Sequence, residues 1–363
     1  MVLEKGKLAN KNAVFLITGF VLGSSVILSP GPSACNEAWL AILCGGLAGL
    51  GLSLVFAAFL KRFPGKTFVE IAEAVLGKFL GKTVAGVYLI YLFHLGSVVM
   101  TNVLFFLKNS IYPNTPSWVL LWFMAILAVY CAWSGAEVLS RCSFVFVPLT
   151  MFLFLGTLLF IMKDIKIDNF LPLVTPLKSL AWGSLQALSF PFGETIALLM
   201  ILPHLKKFDK ASGIYMLGLA LGGLFLLVGT IRSTGVLGPT TDAHSFPGFS
   251  VSKMIDIAGV FTRMEMITGF NFVVTSFLKI TALLYGTSLG SAQLLRLRDY
   301  RFLVMPWGVL MLLFGLYNFS NIMENIEYAK YSYPIFALII QLVFPVTIWL
   351  TAWMRGLPKA ESR

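Results

Sequence analysis

The chain has 363 residues, of which 58% are hydrophobic and only 12% are charged, about half the charged fraction of an ordinary soluble domain. This composition excludes a soluble globular protein. The net charge of +11 would suit a nucleic-acid surface, but the placement of the basic residues described below excludes that class.

Ten apolar segments follow one another along the chain. Eight contain no charged residue and are each longer than the roughly 20 residues of helix that cross a bilayer core. Two more, 179–203 and 266–290, are long enough but contain Glu194 and Lys279. Numbered span 1 to span 10 in chain order, they lie at residues 12–36, 38–60, 83–107, 109–136, 142–162, 179–203, 211–231, 266–290, 302–323 and 331–354. Span 1 is too long for the core of a cleaved signal peptide, so we expect it to remain as a span.

The basic residues alternate between the two sides of these spans. With the N-terminus in the cytoplasm, the cytoplasmic segments carry 18 Lys and Arg residues and the outer segments carry 7. Such an excess on the cytoplasmic side sets the orientation of membrane proteins. The sequence therefore predicts an integral membrane protein with both termini in the cytoplasm and no nucleic-acid partner.

Two segments between spans have helical patterns. Residues 66–81 place Phe68, Ile71, Val75, Phe79 and Leu80 on one face, which predicts an amphipathic helix along the cytoplasmic membrane interface. Residues 249–265 show a weaker pattern on the outer side, typical of either a helical cap over an opening or a plain loop helix. Residues 1–363 form a single membrane domain.

Spans 1 and 6 are interrupted near their centres. Span 1 contains Gly23-Ser24-Ser25, and span 6 contains the sequence FPFGE at residues 190–194. Proline removes an amide donor and glycine adds backbone freedom, so both sites favour unwinding. Unwound backbone persists in a membrane only where protein, water or a ligand satisfies its polar groups.

The two interruptions occupy matching positions in the first and sixth of ten spans. Because each half has five spans, an odd number, the second half enters the membrane from the opposite side. The pattern therefore predicts an inverted repeat of residues 12–162 and 179–355, approximately, in which the two breaks meet at the membrane midplane. Half-helix N-termini offer N–H groups to a carboxylate, and half-helix C-termini offer carbonyls to an ammonium or a cation. A paired break therefore suits a small zwitterion such as an amino acid. The alternative is a pair of kinks with only a packing role.

Four stretches, in their order and spacing, resemble the spore germination permease family. They are LGSSVILSPG, RFPGKTFVEIAEAVLGKFLG, FPFGETIALLMILP and FTRMEMITGF with the later Lys279. The family comprises the membrane-embedded B subunits of nutrient germinant receptors, within the amino acid–polyamine–organocation superfamily. The resemblance covers roughly residues 8 to 357, and it implies an all-α membrane protein of the LeuT-type fold with ten helices, of which helices 1 and 6 are broken.

The resemblance also implies a location, partners and a pocket. The location is the spore inner membrane, and the partners are an A subunit, a lipoprotein C subunit and a small nutrient, with an amino acid expected. Part of span 3, residues 94–98, and the middle of span 8 would wall the pocket. The ligand-binding residues carried over by position are Gly23, Ser24, Ser25, Phe190, Gly193 and Glu194, with His94 as a further candidate.

Three ionisable side chains inside spans have more than one possible role. Glu194 would neutralise a ligand ammonium, bind a proton, or cap the inner half of span 6. Lys279 would stand in for the cation that sodium-coupled relatives of this fold hold between spans 1 and 8; otherwise it reaches towards an interface or pairs with Glu194. His94 is either a packing residue or a ligand contact.

No pattern of a nucleophile elbow, a zinc protease or a phosphate-binding loop occurs, so we expect no enzyme, metal site or cofactor. Three functions remain: a nutrient-sensing receptor subunit, a free-standing proton-coupled amino-acid permease, or a structural subunit with a vestigial pocket. The family motifs favour the first.

Overall fold

A computed structural model describes residues 6–171, 176–255 and 263–357, and these residues fold almost entirely into helices. All ten predicted spans are present within them. In chain order their bounds are span 1, Asn10–Leu22 with a 3₁₀ turn Gly23–Val26; span 2, Ala38–Arg62; span 3, Lys78–Ser110; span 4, Ser117–Ser134; span 5, Ala136–Ile161; span 6, Leu177–Ala187 with the irregular turns Leu188–Phe192 and Gly193–Met200; span 7, Ala211–Leu237; span 8, Glu265–Leu294; span 9, Arg301–Tyr317; and span 10, Ile322–Met354.

Length and hydropathy separate these spans into three groups. Seven helices among the described residues are long and apolar enough to cross a membrane, and span 9 is a shorter apolar helix. Spans 1 and 6 complete the ten, and each is shortened by an irregular stretch at the predicted place. The predicted all-α fold with broken first and sixth helices is confirmed.

The broken spans lie inside the bundle, with spans 3 and 8 around them. Residues 16–25 and 191–203 are buried without exception. In the most apolar stretch of span 3, 78% of the residues are buried, and in that of span 8, 72%, against 28% for span 5 and 33% for span 4. Spans 4 and 5 therefore present their apolar side chains outward, to lipid, while the four inner spans pack on one another.

A short helix, Phe68–Leu76, lies between spans 2 and 3 and is called here the interfacial helix. Its start is fixed by a capping box, because Thr67 accepts from the Glu70 amide while the Glu70 carboxylate accepts from the Thr67 amide at 2.9 Å. The predicted face at 68, 71 and 75 is buried against protein. Gly77, with φ +87°, then turns the chain, so Phe79 and Leu80 belong to span 3 and are exposed, contrary to the prediction that they share that face.

On the predicted outer side, part of the segment 249–265 is helical. A loop helix covers Pro247–Lys253, and its Gly248 lies against the Val26 carbonyl at the end of the span 1 break. Residues 256–262 of the predicted helical cap lie outside the described residues.

At their predicted cytoplasmic ends, the two broken spans are linked by backbone hydrogen bonds. The Leu8 amide donates to the His204 carbonyl at 2.8 Å, and the Lys206 amide donates to the Leu8 carbonyl at 3.1 Å. Leu8 is fully buried. This pairing, named here the inner bridge, ties the residues before span 1 to the residues after span 6.

Candidate functional site

The break in span 1 begins at Gly23. Its φ of +25° is a backbone conformation that L side chains rarely adopt, and a Cβ there would overlap the Lys279 side chain. The freed Gly23 carbonyl accepts a 2.8 Å hydrogen bond from the Thr275 hydroxyl of span 8. The hydroxyls of Ser24 and Ser25 are buried and have no partner among the described residues. The break thus leaves polar groups available for a bound molecule.

The break in span 6 is centred on Phe190, whose φ and ψ of −135° and 110° are not helical. Ser189, just before it, has its carbonyl satisfied by the amide of Gln341 at 2.9 Å. Further along, tyrosines from spans 3 and 7 donate to carbonyls of the irregular inner half: Tyr88 to Ile196 at 3.1 Å and Tyr215 to Thr195 at 2.5 Å. Side chains from neighbouring spans therefore replace the helical hydrogen bonds that span 6 lacks.

An ion pair joins the two broken spans through span 8. The Lys279 ammonium contacts the Glu194 carboxylate, and both side chains are fully buried. The ammonium also lies 5.2 Å from the ring centres of Phe20 and Phe190, a distance at which aromatic faces attract a cation. Pairing with Glu194 is therefore present, and the same ammonium also lies beside Gly23 at the span 1 break, so the pair and a cation-replacing role are compatible.

The other oxygen of Glu194 is also occupied. Tyr333 of span 10 donates to it at 2.6 Å, and the Tyr333 hydroxyl lies 3.1 Å from that of Tyr91. The Gln341 amide donates to Tyr91 at 2.7 Å. Because both carboxylate oxygens have partners within the protein, Glu194 is a fixed part of the wall, and its charge is neutralised by Lys279.

A cavity of about 60 Å³ lies beside this pair, between the two breaks, and is called here the central cavity. Its polar wall contains Ser24, Glu194 and the hydrogen-bonded side chains Asn102 and Asn325, whose amide groups are 2.7 Å apart. Span 3 contributes Leu95, Val98 and Val99 to the apolar wall, and the other spans complete it. The cavity therefore offers both hydroxyl and amide groups and hydrocarbon, and the charge of Glu194 is balanced by Lys279.

The predicted site residues are arranged around this cavity in different ways. Ser24, Phe190 and Glu194 line it. Gly23 lies against Lys279, and Gly193 lies against Gln341. Lys279 itself stands behind Glu194.

His94 and Ser25 take other positions. The His94 ring lies one step outside the cavity, with Nε2 2.6 Å from the hydroxyl of Tyr328, which lines it. Ser25 points to the other side of span 1, into a separate cavity of about 30 Å³ bordered by spans 5, 7 and 8. These two residues therefore have no direct share in the central cavity.

Span 10 supplies a wall that the sequence analysis did not predict. Five of its residues line the cavity, whereas no described residue of span 8 does. They are Asn325, Ile326, Tyr328, Ala329 and Tyr333. Span 10 contains two π-helical turns, Tyr328–Ser332 and Ile339–Val343, a distortion that is frequent at functional sites. Pro334 and Pro345, which follow these turns, are a sequence signal that could have pointed to this wall but was not used.

The amino-acid sequence is similar to that of a known protein family. The sequence model of a family described as "Spore germination protein" matches residues 7–323. The chain belongs to the spore germination protein family. Two relatives from Bacillus subtilis (strain 168) are similar along most of their length. Spore germination protein KB is 24% identical over 99% of this chain and 98% of its own, and spore germination protein B2 is 21% identical over 96% of each.

Solved structures of transporters share the fold of this spore germination family member. Mhp1, a nucleobase-cation-symport-1 family transporter in a closed conformation with bromovinylhydantoin bound, superposes with a TM-score of 0.70 over 97% of this chain and 84% of its own, at 12% identity. MhsT in complex with L-phenylalanine gives 0.63 over 96% and 99%, at 14% identity. A Na⁺-coupled sialic acid symporter gives 0.64 over 93% and 80%, at 10% identity. At these identities the likeness concerns the fold alone, and it confirms the LeuT-type architecture.

Proposed function

We propose that this protein is the membrane-embedded, nutrient-sensing subunit of a spore germinant receptor, and that it binds its nutrient in the central cavity. The observation that supports this most is the cavity itself, which lies between two broken helices where side chains have replaced the lost backbone hydrogen bonds. A helix with only a packing role needs no cavity at its break. The role is non-enzymatic, because the site offers binding groups rather than a nucleophile with a base.

The nutrient we propose is a small amino acid. Lys279 cancels the charge of Glu194, so a ligand without net charge leaves no unbalanced charge in the cavity. Ser24 and the Asn102–Asn325 pair suit its ammonium and carboxylate groups, and the hydrocarbon of Leu95 and Val98 suits an apolar side chain.

Lys279 is proposed to replace a coupling cation. Its ammonium occupies the space between the span 1 break and span 8, one helical turn from Thr275, which bonds the Gly23 carbonyl. A covalently attached charge there anchors the break permanently, so we expect ligand binding to be independent of sodium.

The receptor function implies partners and a location: an A subunit, a lipoprotein C subunit and the spore inner membrane, with both termini of this chain in the cytoplasm. The second candidate is a free-standing proton-coupled amino-acid permease. The likeness in fold to transporters is compatible with it, since the same scaffold serves both functions. A vestigial pocket in a structural subunit is the third possibility, and any measured ligand affinity argues against it.

A binding experiment with a matched variant tests the proposal. Purified protein is titrated with the standard amino acids one at a time, and thermal unfolding is recorded. A true ligand raises the unfolding temperature of the native protein. Asn102→Leu, which removes the amide pair but keeps the side-chain size, should abolish that rise. Asn114→Leu, in the loop before span 4, is the control and should retain it.

The same variants are then placed in spores. Loss of the nutrient response in Asn102→Leu alone, with equal protein in the membrane, supports the receptor. Normal germination together with loss of amino-acid uptake would favour the permease. Ligand binding that is unchanged by Asn102→Leu would overturn the assignment of the central cavity.

A further inference from the structure

A second cavity, larger than the central one, lies on the predicted outer side of it. Its volume is about 90 Å³, and we call it the vestibule. Its walls come from the residues after the span 1 break, from the outer segment 241–247 and from the start of span 10. Leu28, Phe190, Ile326 and Ala329 line both cavities, so the vestibule borders the central cavity, with Phe190 between them.

The vestibule differs from the central cavity in its charges. Asp242 and Lys330 both line it, one from the outer segment and one from span 10. In the described part of the chain they form no ion pair with each other within 4 Å, nor does either form one elsewhere. The two opposite charges therefore face one space without neutralising each other at contact distance.

Neighbouring groups contact both residues. The Lys330 carbonyl accepts from the Gln186 amide at 2.7 Å and from the Trp182 indole at 3.3 Å, which fixes the backbone that carries the ammonium. The Asp242 carboxylate lies against the thiol of Cys35. Partial burial raises the pKa of Asp242, and the Lys330 ammonium acts in the opposite direction.

A carboxylate and an ammonium that line the same cavity complement a molecule that carries both charges. An ammonium group docks on Asp242 and a carboxylate docks on Lys330, and each contact is a charge-assisted hydrogen bond. A solute with only one of the two groups gains one contact and leaves the opposite protein charge unpaired. Neutral solutes gain neither.

We propose that the vestibule is a second binding site for zwitterionic amino acids, which occupy it between Asp242 and Lys330 independently of the central cavity. The site collects ligand at the outer side of Phe190 and raises its concentration at the entrance of the central cavity. It does not depend on the central cavity holding the same ligand.

Cys35 provides a natural reporter. It is an exposed free thiol beside Asp242, whereas Cys142 lies near the start of span 5, at the other end of the bundle. Alkylation of both thiols by N-ethylmaleimide is followed in the purified full-length protein by peptide mass spectrometry, with each standard amino acid added singly. A bound zwitterion should slow Cys35 alkylation about tenfold at about ten times its dissociation constant and leave Cys142 unchanged.

Four variants and two fragment molecules complete the test. Asp242→Asn and Lys330→Gln should each remove the protection. Asp168→Asn, which removes a carboxylate on the predicted outer side but outside the vestibule, is the control and should keep the protection. Acetate and methylammonium at the same concentration should give none. Ser24→Phe, which fills the central cavity, should keep the protection, so loss of central binding and loss of vestibular binding are separable.

The proposal is overturned if no amino acid protects Cys35, or if protection survives both Asp242→Asn and Lys330→Gln. It is also overturned if Ser24→Phe alone removes protection while the variant protein keeps its native unfolding temperature. In that case the thiol reports only the central cavity.

Discussion

Breaking the buried ion pair should cost a large part of the stability of the protein. Lys279 and Glu194 are both fully buried, so Lys279→Met leaves a carboxylate in the protein interior with only the Tyr333 hydroxyl to stabilise it. Removing one partner of a buried pair costs about 3–5 kcal/mol in the free energy of unfolding. Glu194→Gln leaves an unneutralised ammonium between two aromatic rings and should cost a similar amount.

The double variant distinguishes a charge effect from simple loss of packing. Lys279→Met with Glu194→Gln removes both charges and retains an oxygen for the Tyr333 hydroxyl, so it should be more stable than either single variant. The coupling between the two substitutions should then be at least about 3 kcal/mol. Tyr333→Phe, which removes one hydrogen bond to a charged group, should cost about 1.5–3 kcal/mol and serves as the smaller reference.

The assay is unfolding of the purified protein in mixed micelles by added SDS, followed by circular dichroism and tryptophan fluorescence. Costs below about 1 kcal/mol for both single variants, or a double variant equal to the sum of the singles, would show that the two charges do not depend on each other. The reasoning that Lys279 neutralises Glu194 would then fail, and with it the argument for an uncharged ligand.

The remaining predictions concern the breaks, the ion and the topology. Gly23→Leu and Gly193→Leu should each abolish the nutrient response, compared at equal membrane protein levels, because their added carbons collide with the Lys279 and Gln341 side chains; a normal response in both would separate the breaks from binding. Ligand affinity should be equal in sodium and choline buffers, and a strict sodium requirement would contradict the cation-replacing role of Lys279. Lys279→Arg should rescue only part of the response that Lys279→Met loses, since the planar guanidinium is larger than the ammonium; spore germination assays compare the two. A cysteine at Asn114 should react with an impermeant reagent added outside, while one at Lys207 should not, and the reverse result would refute the orientation.

The sequence predicted the frame of the site because its signals are local. Glycine and proline at 23 and 191 interrupt apolar segments, and their positions along ten segments predict where the breaks meet. Charge placement predicted the buried Glu194 and Lys279 but left three roles for each. Choosing among those roles needs the distance between spans 6 and 8, which no local pattern contains.

The sequence did not predict which way individual side chains point around their helix axes. Ser24 and Ser25 are neighbours of the same type, yet they face different cavities, because an unwound segment has no fixed periodicity to predict their directions. The wall from span 10 was missed first because four of its five cavity residues precede residue 331, where the predicted span begins, whereas the observed span begins at Ile322. Its π-helical turns move Tyr328 and Tyr333 relative to a regular helix, so the usual spacing does not show which face is inward.

The inner bridge places a condition on any release of ligand at the predicted cytoplasmic end of the protein. To open a path on that side, the ends of spans 1 and 6 must separate, which breaks two backbone hydrogen bonds and exposes Leu8 to water. A subunit that only reports occupancy can complete its task with the bridge intact, passing strain from the cavity to its neighbours in the membrane. Transport of the nutrient therefore requires the inner bridge to open, whereas sensing does not. The lifetime of these two hydrogen bonds would then limit the rate at which a bound nutrient crosses the membrane.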